Sequence, residues 1–267
     1  MDNQPIMFTV KDKVFAITGA ASGIGCAIAI CLAKLGARLA VTDLAQEGLS
    51  SVTQELESLI GSENVLSHHA NICDRAAVEE WIALTVHKFG RLDGAVNTAG
   101  AHPRESGKEP IWNVTDSDWD FAQDVNVRGT LNLVRAQLKY MVNAVTQKEM
   151  ETGSIIVFGS NASVTGAPNL SAYTTSKHAV LGLMRSAAMD AAPFNIRVNA
   201  ICPGPIDTPM VRNAVSDDLM KTLVNAIPLK RLGSTQEVVG LVTYLLSDSA
   251  GFNTGGVHMV DGGVTAA

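Results

Sequence analysis

Apolar positions along this chain switch between two periods. Val14-Phe15-Ala16-Ile17 is an unbroken apolar run, the pattern of a strand covered on both faces. Ile24, Ala27, Ile28, Cys31, Leu32 and Leu35 then recur at helical spacing along one stripe. The strand Arg38–Asp43 follows, and Leu49, Val52, Leu56, Leu59 and Ile60 mark a second helix. Val65-Leu66-Ser67-His68 reads as a third strand, with Val78, Trp81, Ile82, Val86 and Phe89 on a third helix and Leu92–Val96 a fourth strand. Thr115-Asp116-Ser117-Asp118 has the form of a capping box opening one long helix to about Val145. A strand at Ser154–Phe158, a helix over 171–191, a strand at Ile196–Ala200, a helix near 235–247 and a strand at Gly256–Val260 complete the alternation.

Strand and helix alternate without a linker or an internal repeat. Right-handed crossovers between parallel strands then predict a doubly wound α/β sheet, three layers deep, in a single domain spanning 1–267. Ligands of such sheets bind at the carboxyl ends of the strands, where Gly19, Asp43, Asn97 and Ser160 all fall. Two stretches break the pattern. Residues 101–114 contain Pro103, Gly107, Pro110 and four charged residues and read as a long loop. Residues 205–232 start with two prolines and then carry Met210, Val211, Leu219, Leu223, Val224 and Ile227 at roughly helical spacing. Those apolar residues either cover a substrate or pack on the domain or a neighbouring subunit.

Composition narrows the classes. At 267 residues, with 46% hydrophobic and 17% charged residues, the chain has material for a large core. A net charge of −6 with no basic block argues against a nucleic-acid partner. The four cysteines, 26, 31, 73 and 202, form no Cys-x-x-Cys pair, and no Cys/His cluster has zinc spacing, so no metal is expected. Cys26 and Cys31 read as buried free thiols on the first helix, and His68 and His69 as neighbours facing opposite sides of a strand. No apolar stretch is long enough for a membrane span, and Met1-Asp2-Asn3-Gln4-Pro5 lacks a leader pattern. An intracellular, cytoplasmic protein is the expectation.

The chemistry begins at Thr18-Gly19-Ala20-Ala21-Ser22-Gly23-Ile24-Gly25, between the first strand and the first helix. Glycines let the backbone turn tightly against a pyrophosphate, and a helix N-terminus offers unpaired N–H groups. Asp43 ends the second strand eighteen positions after Gly25. A carboxylate there accepts hydrogen bonds from ribose hydroxyls and repels a 2′-phosphate, which favours NAD over NADP; a turn or helix-cap role is the alternative. Tyr173 and Lys177 sit four apart on one helical face. A phenol with pKa near 10 needs a nearby cation to lower it before it serves as a base at neutral pH.

Together these segments resemble the short-chain dehydrogenase/reductase family, in its classical form, over nearly the whole chain. The glycine spacing is that family's Thr-Gly-x-x-x-Gly-x-Gly, and Asn97-Thr98-Ala99-Gly100 is similar to its Asn-Asn-Ala-Gly, with Thr98 in place of the second Asn. That departure bears on hydrogen bonds supporting the sheet. Gly159 stands where a second serine is common, and Asp261-Gly262-Gly263 resembles the C-terminal signature. The resemblance implies a Rossmann-type fold and a catalytic set of Asn126, Ser160, Tyr173 and Lys177. Tyr173 would exchange a proton with the substrate oxygen, Lys177 would tune it and hold the nicotinamide ribose, Ser160 would orient the substrate, and Asn126 would hold a relay water. Implied cofactor contacts are Gly19, Ser22, Gly23, Ile24, Gly25, Asp43, Asn71, Ile72, Asn97, Ala99, Gly100, Tyr173, Lys177, Pro203, Gly204, Ile206 and Thr208.

The implied function is NAD(H)-dependent interconversion of a secondary alcohol and a ketone. The apolar 205–232 segment fits a cyclic substrate of terpenoid, steroid or polyketide type. A 3-oxoacyl-carrier-protein reductase, a non-redox member of the fold and a non-catalytic nucleotide binder are the alternatives. The family commonly pairs helices like 116–145 and 171–191 between subunits, so a homodimer or homotetramer is expected.

Overall fold

The structure, a computed structural model, describes residues 9–214 and 217–266, excepting the side chains of 214, 217 and 219. Met1–Pro5 lie outside it, as does the side chain of Leu219. Seven parallel strands form one sheet: β1 (Val14–Thr18), β2 (Arg38–Asp43), β3 (Val65–His69), β4 (Gly94–Asn97), β5 (Gly153–Phe158), β6 (Ile196–Pro203) and β7 (Val257–Val260). Their spatial order is β3-β2-β1-β4-β5-β6-β7. The order reverses between β1 and β4, which opens a crevice above their carboxyl ends.

Strand side chains alternate between the two faces. Val14 and Ala16 join one core cluster, Phe15 and Ile17 the other; Ile155 and Val157 share the first, Ile156 and Phe158 the second. On the first face, α3 (Arg75–Phe89), α5 (Gly129–Thr146) and α6 (Ser171–Ala191) bury Trp81, Leu133 and Met184. On the second, α1 (Gly23–Lys34), α2 (Gln46–Ile60) and α9 (Thr235–Leu246) bury Ile28, Leu56 and Val242. Truncating one such residue to alanine removes about 2–5 kcal/mol.

Several boundaries differ from the sequence expectation. On α1 the buried face is Gly25, Ile28, Ala29, Leu32 and Ala33. Leu35 is the C-cap and is exposed, and Cys26 and Cys31 are only half-buried. An almost wholly apolar helix leaves its orientation to its neighbours, here α2 and α9. Leu59 likewise emerges near the end of α2.

The long helix of 116–145 is broken in the middle. Thr115 accepts the Asp118 N–H at 3.1 Å and caps α4 (Asp116–Ala122), but Gln123–Arg128 then forms a π-helical turn before α5. The Gly129 N–H bonds the Asp124 carbonyl, five residues back. A Cβ at Gly129 would lie 2.6 Å from Ile72 Cδ1, so this turn packs against the loop after β3. The 205–232 stretch carries α7 (Pro209–Ala214) and α8 (Asp217–Ala226). Leu223 and Val224 are half-buried, Ile227 is buried, and Met210 is exposed.

Candidate active site

The glycine loop is shaped by steric necessity. Gly19 and Gly23 have φ of +65° and +55°, where a side chain is strained. A Cβ on Gly25 would lie 2.2 Å from the Gly19 carbonyl oxygen, so that position excludes every other residue. Ser22, the N-cap of α1, is exposed and makes no side-chain cap bond, and the first turn holds no acidic residue. The leading N–H groups are thereby left to an anionic partner. A Cβ on Gly23 would lie 3.5 Å from the Thr208 methyl, so the 205–208 segment comes close to the loop.

Asp43 touches this loop directly. Its Oδ2 accepts the Ala21 N–H at 3.0 Å and its Oδ1 the Ala45 N–H at 2.9 Å, at the start of α2. The carboxylate therefore ties the glycine loop to the next turn, the alternative role named for this residue. These groups fit a dinucleotide: a tight glycine turn, free helix N–H groups and one acid at the end of β2.

Other expected contacts serve the framework. Asn97 exchanges two 2.9 Å hydrogen bonds with buried Gln137. Thr98 donates to the Thr18 carbonyl, and Thr18 Oγ1 accepts the Ala99 N–H at 3.1 Å, so Thr98 does supply a sheet-supporting bond. Asn71 Oδ1 accepts the Cys73 N–H at 2.9 Å in a local turn. Ile72 is buried in the core, its side chain beside Gly129. A Cβ on Gly204 would fall 2.7 Å from Asp261 Cα. Ile206 is buried and bridges to Gly233, while Pro203 ends β6.

Ser160, Tyr173, Lys177 and Asn126 converge at the carboxyl ends of β4 and β5. Ser160 caps a short turn: its Oγ accepts the Ala162 N–H at 3.1 Å, and its own N–H donates to Ser163 Oγ at 3.0 Å. The missing second serine has a steric cause. A Cβ on Gly159 would lie 2.6 Å from Cys202 Sγ and 2.8 Å from Ser163 Oγ. Sequence reasoning missed Ser163, for which the Ser160-x-x-Ser163 capping spacing was the available signal.

Lys177 is buried and donates from Nζ to the Phe158 carbonyl at 3.0 Å, 5.8 Å from the Tyr173 ring centre. Burial pulls its pKa down to about 8. Tyr173 moves opposite to the sequence expectation. Burial pushes the phenol up to about 12, against the opposing hydrogen bond with Ser160. Desolvation dominates this shift, while the Lys177 ammonium is engaged with the Phe158 carbonyl.

Asn126 lies in the π turn and is fully engaged. Its Oδ1 accepts the Ala101 N–H at 2.9 Å, and its Nδ2 donates to the Ala101 carbonyl at 2.9 Å and Ser176 Oγ at 3.0 Å. Its side chain thus clamps the start of the 101–114 loop. A Cβ on Gly100 would lie 3.0 Å from Asn126 Oδ1 and 3.1 Å from Lys177 Nζ, so glycine lets the two come together there. Sequence reasoning missed His102, whose ring stacks on Tyr173 with centres 3.7 Å apart and planes 18° apart. The available signal was a titratable residue two positions past Gly100. Beyond Tyr173 a small cleft is lined mainly by apolar surface, including Pro103, Val114 and Leu170, with Glu105, Glu109 and Asp118 as its acidic residues. Among the described residues, no three His, Cys, Asp or Glu side chains gather as a metal requires.

With this geometry the comparisons agree. A family model described as Enoyl-(Acyl carrier protein) reductase matches residues 19–265. The chain belongs to the short-chain dehydrogenase/reductase family and is an oxidoreductase that binds a nicotinamide cofactor. It is similar to short-chain dehydrogenase/reductase aba4 of Botryotinia fuckeliana (strain B05.10), with 39% identity over 98% of this chain and 99% of the relative. It is 34% identical to the 3-oxoacyl-[acyl-carrier-protein] reductase FabG of Thermotoga maritima, covering 96% of this chain and 98% of that one. The crystal structure of levodione reductase superposes with a TM-score of 0.90 at 33% identity, covering 96% of this chain and 99% of that one.

Proposed function

We propose that this chain is a single-domain, NAD(H)-dependent oxidoreductase that interconverts a secondary alcohol and a ketone on a largely apolar, cyclic substrate. The observation that carries the reading is the meeting of Tyr173, Ser160 and Lys177 beside a glycine loop whose neighbouring acid is Asp43. When bound, the nicotinamide gives or takes the hydride. Tyr173 Oη holds the proton that the substrate oxygen gains or loses. Ser160 Oγ orients that oxygen, and Lys177 stands behind the phenol as the cation. Asn126 fixes the loop beside them through Ala101.

Asp43 supports NAD over NADP, because a fixed carboxylate repels a 2′-phosphate. A screen of cyclic secondary alcohols that follows NADH absorbance tests the activity. Catalytic efficiency with NAD⁺ is expected to exceed that with NADP⁺ at least about tenfold, a difference of 1.4 kcal/mol. Equal use of NADP⁺ refutes the Asp43 role.

A second reading is reduction of 3-oxoacyl groups on a carrier, as the name of the Thermotoga relative states for that protein. Glu105, Glu109 and Asp118 beside Tyr173 weigh against it, since they disfavour an anionic carrier arm. Trp119, Phe121 and Leu131 are exposed on or near the helices expected to pair between subunits, and they support a homodimer or homotetramer.

A further inference from the structure

His102 is placed with more care than a loop residue needs. Asn126 grips both polar groups of Ala101, the preceding residue, and Ser106 Oγ lies 3.3 Å from His102 Nδ1. One imidazole face lies on the Tyr173 ring, while the residue as a whole keeps an exposed side. Desolvation first, and then the Lys177 charge, hold its pKa below that of a free histidine, so the ring is neutral at physiological pH. A neutral imidazole whose Nδ1 faces Ser106 has Nε2 left for a ligand, either as donor or as acceptor. The parallel planes keep that nitrogen a few ångströms from the plane of the phenol, on the scale of two oxygens carried by one small ring. The cleft beyond sets Glu105, Ser106 and Asn113 among apolar neighbours such as Pro103 and Val114.

We propose that His102 selects substrates bearing a second oxygen: Tyr173 engages the reacting oxygen while His102 Nε2 hydrogen-bonds a second hydroxyl or keto group on the same neutral molecule. The proposal rests on the reading of Tyr173 as the proton-transfer group. It assigns His102 to specificity and gives it no part in hydride or proton transfer.

The test compares wild type, His102→Phe and His102→Asn with NAD⁺ on cyclohexanol, cyclohexane-1,2-diol and cyclohexane-1,4-diol. Phenylalanine keeps a flat ring on Tyr173 and removes both nitrogens; asparagine keeps hydrogen-bonding capacity without the stack. For wild type, at least one diol is expected to exceed cyclohexanol in kcat/KM by roughly 3–10-fold, the net worth of one neutral hydrogen bond. His102→Phe should bring the diol-to-cyclohexanol ratio of kcat/KM to about one, whatever it does to cyclohexanol itself, and His102→Asn should restore part of the ratio. A wild type without diol preference, or a preference that survives in His102→Phe, overturns the proposal. If none of the three alcohols is oxidised, the proposed action on cyclic secondary alcohols fails for these substrates, and quenching of NADH fluorescence in the enzyme–NADH complex decides the matter of His102. Diol-specific quenching lost in His102→Phe sustains it; quenching that is absent or insensitive to His102 overturns it.

Discussion

The glycine-loop side of the crevice and the substrate side are built on different principles. On the first, backbone does the shaping: Gly19, Gly23 and Gly25 are required by φ or by contact, and Asp43 binds two main-chain N–H groups. On the second, side chains do it: Asn126 clamps Ala101, Ser163 holds Ser160, and His102 lies on Tyr173. Backbone shaping tolerates few residues and so fixes one ligand class. Side-chain shaping tolerates many residues and so permits variation on that side against a constant glycine loop.

The largest break in this comparison is expected at Tyr173. Tyr173→Phe keeps the ring and removes the proton-transfer group, so turnover should fall about 10²–10⁴-fold. NADH binding, followed by fluorescence, should persist. Near-normal turnover on the true substrate would end the assignment.

Gly25→Ala attacks the other side. The new methyl would sit 2.2 Å from the Gly19 oxygen and 2.7 Å from Thr98 Oγ1. Overpacking of this kind destabilises by about 1–3 kcal/mol, and the loop must shift. Weaker NADH binding with a lowered Tm is expected, and unchanged binding would show that the loop does not meet the cofactor.

The pH dependence separates the two titrating groups. Lys177, with its pKa lowered to about 8, is charged below that pH and loses its proton above it, while Tyr173, at about 12, stays protonated. Ketone reduction needs the phenolic proton and the nearby cation. It should therefore hold level below pH 8 and decline above. Lys177→Arg, which keeps its charge, should remove that alkaline decline from whatever reduction activity remains; a decline unmoved by the substitution would assign it to another group.

The smallest effect concerns assembly. Light scattering at micromolar concentration should give a dimer or tetramer, and Leu131→Asp, on the exposed face of α5, should shift it toward monomer. A wild type that is already a 28.1 kDa monomer would refute the expectation.

The contrast between the two sides also sets what sequence alone reveals. The sheet and helices were legible because apolar runs and stripes have their own periods, and the glycine loop because steric need dictates its residues. The Tyr173–Lys177 pair was legible as spacing, but not its electrostatics, since desolvation depends on what packs above the helix. His102 was invisible because nothing in a loop sequence says which ring it will cover. The placement of Glu105 and Glu109 at the cleft escaped for the same reason. Leu35 was misplaced because α1 is apolar nearly all round, which leaves no face to read.

The π turn at Gln123–Arg128 acts as a phase shifter between two straight helices. An α-helix advances about 100° per residue, so one surplus residue in a turn rotates everything upstream by about that angle relative to everything downstream. The rotation lets α5 keep Leu133 and Met141 on the sheet while Asn126, about two turns before Leu133, aims at Ala101. Deleting a single residue between 123 and 128 would iron the turn into α-helix. The clamp on Ala101 would then swing away, although every residue that composes the core of α5 stayed in place.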